Sequence, residues 1–319
     1  MSADEPPAPE TTRGKFEHPD ITASGAPRAT VAFAKLRTLW INTGTLCNIE
    51  CAHCYIESSP SNDRLVYLSA KEVRPFLDEA RAMRAKEIGF TGGEPFMNPD
   101  ILTMLEDALG RGFKTLVLTN GMRPMMRPRM QAGLLRLRAR YGGRLCLRVS
   151  LDHYTRERHD LERGEGSFDA AFEGLSWLSS YRFSVAVATR GEWGKTELRI
   201  RAGFAKLFKA HGVRIDARDP NRLVLFPEMD EAADVPEITT ACWKILDKNP
   251  KTVMCASARM IAKRKGAAAP VVLACTLIPY QDQFELGARL RDSTTQPVKL
   301  NHPHCAKFCV LGGASCSRA

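Results

Sequence analysis

Leu36-Arg-Thr-Leu-Trp-Ile-Asn42, followed at once by Thr43-Gly44-Thr-Leu-Cys47-Asn-Ile-Glu-Cys51-Ala-His-Cys54, decides how the rest of this chain is read. The first seven residues form an apolar, partly β-branched run too short for a helix, so they read as a strand. Thr43-Gly44 ends it, and three thiols follow within eight residues. Parallel α/β sheets place their ligand-bearing loops at the carboxyl ends of strands, and this loop stands at such an end.

Working outward, short apolar runs alternate with longer helical patterns up to about residue 227. The expected strands after the first are Glu87–Phe90, Thr115–Leu118, Leu145–Ser150, Phe183–Ala188 and Arg222–Phe226. The expected helices between them are Ala70–Ala85, Pro99–Arg111, Arg127–Tyr141, Phe168–Tyr181 and Thr196–His211. Such alternation implies parallel strands joined by helical crossovers, the α/β class. The second strand runs into Thr91-Gly92-Gly93-Glu94-Pro95, the third into Thr119-Asn120-Gly121, the fourth into Ser150-Leu151-Asp152. With the cysteine loop, four polar clusters meet on one rim of the sheet.

The composition bounds the rest. Of 319 residues, 44% are hydrophobic and 26% charged, enough for a full core. Residues 1–35 open with a Pro-, Ala- and Thr-rich stretch poor in large apolar side chains, and read as a disordered tail. No signal-peptide pattern and no apolar run long enough to span a bilayer stand in the sequence, which gives a cytoplasmic expectation. The net charge of +10 is scattered, with small knots at Arg123–Arg140 and Lys263–Lys265, and reads as a solvated surface rather than a nucleic-acid stripe. Ten cysteines without an export signal point to metal or cluster ligation rather than disulfides.

Three thiols so close in sequence can wrap a compact 4Fe–4S cube and leave its fourth iron without a protein ligand. Zinc, with His53 as fourth ligand, and a plain loop are the competing readings. In Gly92-Gly93, missing side chains admit a ligand to the backbone, whose carbonyls, with Glu94, can accept bonds from an ammonium; a turn before a helix near Asn98 is the alternative. Cys146, in the alternating run Leu145–Val149, reads as a core residue.

Cys-x3-Cys-x2-Cys after the first strand, Gly-Gly-Glu-Pro after the second and Thr-Asn-Gly after the third resemble the radical S-adenosylmethionine (SAM) superfamily. The resemblance covers roughly residues 36–230 and implies a partial (β/α)6 TIM-like barrel. It implies that Cys47, Cys51 and Cys54 hold a 4Fe–4S cluster whose open iron chelates SAM, and that Thr91, Gly92, Gly93 and Glu94 meet the methionine amino group. Ser150 and Asp152 resemble the position that touches the ribose or the substrate. His159-Asp160-Leu-Glu-Arg163-Gly164 resembles a stretch whose arginine contacts the SAM carboxylate, with a surface loop as the alternative for Arg163. Asn120 stands either at the cofactor or as a helix cap.

After an acidic linker at residues 228–240 come six cysteines: Cys242, Cys255, Cys275, Cys305, Cys309 and Cys316. A hairpin of Thr252–Met260 and Pro270–Thr276 turns at Lys263–Gly266. Residues 231–319 resemble the auxiliary-cluster domains called SPASM or, when shortened, twitch. The full SPASM pattern has seven cysteines and a Cys-x2-Cys pair; this tail has six and lacks the pair. The six suit one auxiliary iron–sulfur cluster, with a second undecided; zinc competes, and His302 or His304 can replace a thiolate. The expected activity is radical-initiated hydrogen abstraction from a small molecule or short peptide, with net oxidation or bond formation. Its expected reductant is a flavodoxin or ferredoxin. RNA modification, and a non-catalytic iron–sulfur or zinc protein, are the alternatives.

Overall fold

The computed structural model describes residues 14–191, 194, 196–227, 230 and 233–317. Residues 1–13 of the expected tail, and 228, 229, 231 and 232 of the expected linker, lie outside the described residues. The strands are β1 Thr30–Val31, β2 Thr38–Asn42, β3 Glu87–Thr91, β4 Lys114–Thr119, β5 Leu145–Ser150, β6 Ser184–Arg190, β7 Leu223–Phe226, β8 Ala258–Ala262, β9 Val271–Leu273 and β10 Val298–Lys299. The helices are α1 Ala70–Ala82, α2 Ile101–Gly110, α3 Arg123–Met126, α4 Pro128–Tyr141, α5 Arg156–Arg163, α6 Ser167–Ser180, α7 Glu197–Ala210 and α8 Cys242–Ile245. A π-helical turn spans Cys305–Leu311.

One eight-stranded sheet carries the fold, in the order β7-β6-β5-β4-β3-β2-β8-β9. From β2 to β7 every neighbouring pair is parallel, so the architecture is an α/β partial barrel. Its strands are buried on both faces. Leu39, Ile41, Val117, Leu147, Val149 and Val187 pack under the helices. The alternate positions Trp40, Leu116, Cys146 and Ala186 face the other way, into a core shared with the C-terminal region. Cys146 is fully buried there, as a core residue should be. The last residues close this concave side: Arg148 Nη1 donates to the Cys316 carbonyl at 2.8 Å, and Trp40 Nε1 to Ser317 Oγ at 3.3 Å.

In two places the C-terminal region departs from the sequence reading. Its hairpin forms, with Met260 opposite Leu273, but its first strand starts only at Ala258, since Pro250–Thr252 and Met254–Ala256 are 3-10 turns. In addition, β8 pairs in parallel with β2, placing Thr38 beside Ala258. The edge of β2 would otherwise show unpaired main-chain groups, and β8 covers it. Sequence periodicity reports no such distant pairing. Residues 14–35, expected within the disordered tail, also pack here. β1 pairs antiparallel with β10, and Ala29 and Val31 are buried. Arg28, 3% exposed, donates to the carbonyls of His18, Ile21 and Leu300 and pairs with Glu237. Polar bonds anchor much of this segment, which is why its hydrophobicity understated its order.

Candidate active site

The cysteine loop is held before it begins to bind anything. Gly93 N donates to Gly44 O at 2.8 Å and Glu94 N to Leu46 O at 3.1 Å, so the Gly-Gly turn braces the residues leading to Cys47. A Cβ at Gly93 would stand 2.2 Å from Leu46 O, and one at Gly92, where φ is +139°, would stand 2.4 Å from Gly44 O. Both glycines are therefore required by the neighbouring backbone, quite apart from any ligand. At the far end of the loop, Ala52 N donates to Glu162 O at 2.9 Å and Arg190 Nη2 to His53 O at 3.1 Å.

Cys47, Cys51 and Cys54 share one cavity of about 170 Å³ with Thr91, Gly92 and Gly93. Asn120, Ser150, Asp152 and Arg163 also line it, so seven of the eight expected cofactor contacts come together. Glu94 does not. It lies behind the wall, 1% exposed, and its carboxylate accepts from Thr119 Oγ1 at 2.9 and 3.0 Å, Asn120 N at 2.8 Å and Phe96 N at 3.1 Å. These bonds tie the Gly-Gly turn to the end of β4, so the side chain braces the site from behind its wall. Asn120 Nδ2 stands 2.9 Å from Asn48 Oδ1 and 3.8 Å from Cys47 Sγ, while its Oδ1 accepts from Met122 N at 3.0 Å. It lines the cavity and does not cap α3, whose N-cap is Met122 without a side-chain bond.

Asp152 and Arg163 meet as a pair. Arg163 Nε and Nη2 reach the Asp152 carboxylate at 2.7 and 3.2 Å, and Nη1 stands 3.8 Å from Cys51 Sγ. Asp152, expected against a ribose or substrate, lines the cavity with both oxygens bonded to Arg163 and with Arg190 Nε 3.6 Å away. Burial alone would raise the Asp152 carboxyl, but Arg163 and Arg190 hold it below the usual carboxylate range. Burial likewise works against the charge on Arg163, and Asp152 and Cys51 outweigh it, raising its pKa. Arg163 ends α5, a helix that the sequence reading left among the loops. Its buried positions are His159 and Glu162, both polar, so no apolar periodicity announces it.

The end of β6 carries no motif of the kind that marks the ends of β2 to β5. Thr189 and Arg190 line the cavity from that position. Tyr55, Leu118, Phe226, Leu277 and Phe308 form an apolar part of the remaining wall, with Cys316 beside them.

The six tail cysteines do not act as one set. Cys255, Cys275, Cys305 and Cys309 line a second, smaller cavity with His304, and Leu277 borders both cavities. The π-turn puts Cys305 and Cys309 four residues apart on the side facing Cys275. Cys316 lines the barrel cavity instead, 3.5 Å from Thr276 Oγ1, and Cys242 contacts Thr239 at the start of α8. His302 rests against His304 and outside both cavity walls.

The donors fit the groups implied by the sequence. All ten cysteines are unpaired thiols. Burial pushes the Cys47 and Cys275 thiols up to about 12 and Cys255 up to about 11. The protein alone leaves these thiols protonated, and a bound cationic metal is what would ionise them. Among the described residues no three Cys, His, Asp or Glu side chains are grouped to hold a single metal ion. Three thiols bordering a cavity and four bordering another suit multi-iron clusters better than one tetrahedral ion. Backbone without side chains at Gly92 and Gly93, next to Arg163, suits the amino-acid end of SAM.

Comparison with known proteins agrees. Residues 41–191 match the Radical SAM superfamily. The antilisterial bacteriocin subtilosin biosynthesis protein AlbA of Bacillus subtilis is 34% identical over 143 residues, 44% of this chain and 30% of that protein. The mycofactocin maturase MftC of Mycolicibacterium smegmatis is 30% identical over 140 residues, 44% of this chain and 33% of that protein. The matching stretch thus spans about a third of the length of these relatives. Among solved structures, Streptococcus suis SuiB bound to S-adenosylmethionine superimposes with a TM-score of 0.57 at 13% identity, covering 80% of this chain and 63% of SuiB, a likeness of fold. Over residues 41–191, just under half of its length, the chain is thus similar to the radical SAM superfamily.

Proposed function

We propose that this chain is a radical SAM enzyme that modifies a short peptide, with net oxidation or bond formation. One observation carries the reading: the three thiols of the loop, the bare backbone of Gly92-Gly93 and the Arg163 guanidinium all face a single cavity. Cys47, Cys51 and Cys54 would hold a 4Fe–4S cluster, and Cys255, Cys275, Cys305 and Cys309 a second one. When bound, the first cluster and SAM supply a 5′-deoxyadenosyl radical that removes a hydrogen atom from the substrate. The chain's own residues orient and shield. Carbonyls of the Gly-Gly turn would accept from the methionine ammonium, and Arg163, whose Nη1 is not engaged by Asp152, would meet the carboxylate. Ser150 and Thr189 offer hydroxyls at the rim. Tyr55, Leu118, Phe226, Leu277 and Phe308 keep water from a carbon radical.

Four thiols would fill every iron of an auxiliary cluster held there, which suits an electron acceptor better than a substrate-binding iron. Leu277 and Tyr55, the latter lying against Cys54, Cys275 and Cys316, are the side chains between the two sites. The names of AlbA and MftC, a bacteriocin biosynthesis protein and a maturase, support the peptide over the small molecule. Ten unpaired cysteines suit a reducing compartment such as the cytoplasm, and no helix among the described residues is long and apolar enough to cross a membrane. The test is anaerobic reconstitution with iron and sulfide, then dithionite and SAM. Wild type releases 5′-deoxyadenosine and Cys51→Ala does not; a protein that fills with iron yet never cleaves SAM would defeat the proposal.

A further inference from the structure

The arginine knot at Arg123–Arg140 has no part in the chemistry above, and the structure divides it. Arg136 and Arg140 approach Glu106 at 3.7 and 3.0 Å, and Arg138 lies over the Phe183 ring. Arg123, Arg127 and Arg129 are exposed and make no ion pair among the described residues. Exposed acids are present on the elements packed around them, Glu50 on the cysteine loop and Glu173 on α6, but neither pairs with them. Arg127 is held in place by bonds to the carbonyls of Pro124 and Phe96.

This trio adjoins the cysteine loop. Met122, the residue before Arg123, has its Sδ 3.8 Å from Asn48 Nδ2. Asn48 follows Cys47 and is bonded to Asn120, which in turn lies 3.8 Å from Cys47 Sγ. A partner seated on the three arginines would therefore sit within two side chains, Asn48 and Asn120, of the Cys47 thiol, which is itself buried. We infer that Arg123, Arg127 and Arg129 form the docking surface for a small acidic electron-carrier protein, whose electron enters the loop's cluster beside Cys47. The inference rests on the reading of that loop as a cluster site. No bond is made or broken: the carrier loses one electron and the cluster gains it. Uncompensated surface charge acts mainly on encounter, so the expected signature is kinetic and sensitive to salt. The patch is small and interleaved with Met and Pro rather than aromatic residues, which favours a protein over RNA.

The test compares two reductants on the reconstituted full chain at low salt: an acidic flavodoxin in its hydroquinone form, and photoreduced 5-deazariboflavin, a small reductant that needs no docking. In the double variant Arg123→Glu with Arg129→Glu, reduction of the cluster by flavodoxin slows about tenfold or more and loses most of its salt dependence. Reduction by deazariboflavin is unchanged, and Lys209→Glu, an exposed charge reversal on α7, affects neither. Unaltered flavodoxin rates, or equal losses with both reductants, would overturn the docking surface, as would a variant whose sole defect is in RNA binding. If the wild-type cluster accepts electrons from both donors and SAM still survives, the proposed function fails while the docking surface stands.

Discussion

Gly93 is a residue at which one added methyl group would collide with the backbone of the cysteine loop. Its Cβ would meet the Leu46 carbonyl carbon at 2.6 Å as well as the oxygen, and that backbone leads straight to Cys47. Gly93→Ala is expected to cost about 1–3 kcal/mol in strain and to shift the loop, so iron per chain falls toward that of the variant lacking Cys47, Cys51 and Cys54. Glu94 carries a different signature. Burial lifts its carboxyl from 4.5 to about 7, although Asn120, Phe96 and Thr119 donate to it. The folded chain therefore holds a proton that the unfolded chain releases. That stability is full below the unfolded value and is lost as pH rises through about 7, an effect on the order of 3 kcal/mol. Urea unfolding should show stability falling between pH 5 and pH 8, and Glu94→Gln should flatten that slope. At this scale the thiols and the glycines were legible in the sequence because their chemistry is intrinsic. The inward turn of Glu94 and the engagement of Asp152 with Arg163 were not, since partners from β4 and α5 decide them.

Elements with an apolar stripe announced themselves, and those without did not. The capping box Ser69–Glu72 and the buried Val73, Phe76, Leu77 and Ala80 made α1 readable. α5 buries His159 and Glu162, and the π-turn at Cys305–Leu311 is too short and irregular for any period to show. That turn nevertheless sets the spacing of Cys305 and Cys309. It is closed by Gly312 N donating to Lys307 O at 2.9 Å, and a Cβ at Gly312 would lie 2.6 Å from the same oxygen. Gly312→Ala should open the turn and release the auxiliary cluster, so that reconstituted protein holds about four irons instead of about eight. An unchanged count would show that the turn does not position these ligands.

Across the whole molecule, the parallel strand order from β2 to β7 was legible because each strand neighbours the next in sequence. The closure by β8, β10 and the N-terminal segment was not, because those pairings join residues far apart in the chain. The Arg28–Glu237 pair fastens this closure with side-chain exposures of 0% and 6%, whereas Lys15–Asp234 is open to solvent at 46% and 87%. Removing one partner of a buried pair strands the other. Arg28→Ala is expected to cost about 3–5 kcal/mol, and Lys15→Ala less than about 1 kcal/mol; thermal unfolding of the two variants measures both. Equal, small shifts would mean that residues 14–31 only rest on the C-terminal region.

The proposed chemistry needs a cluster with one iron left open to the amino-acid end of SAM. Electron–nuclear double resonance on the reduced protein, with SAM labelled with nitrogen-15 at the methionine amino group, tests this most directly. The expected result is a nitrogen coupling to a cluster that is lost with Cys47, Cys51 and Cys54, beside a second cluster indifferent to SAM. Two fully loaded clusters with no nitrogen coupling on either would contradict it.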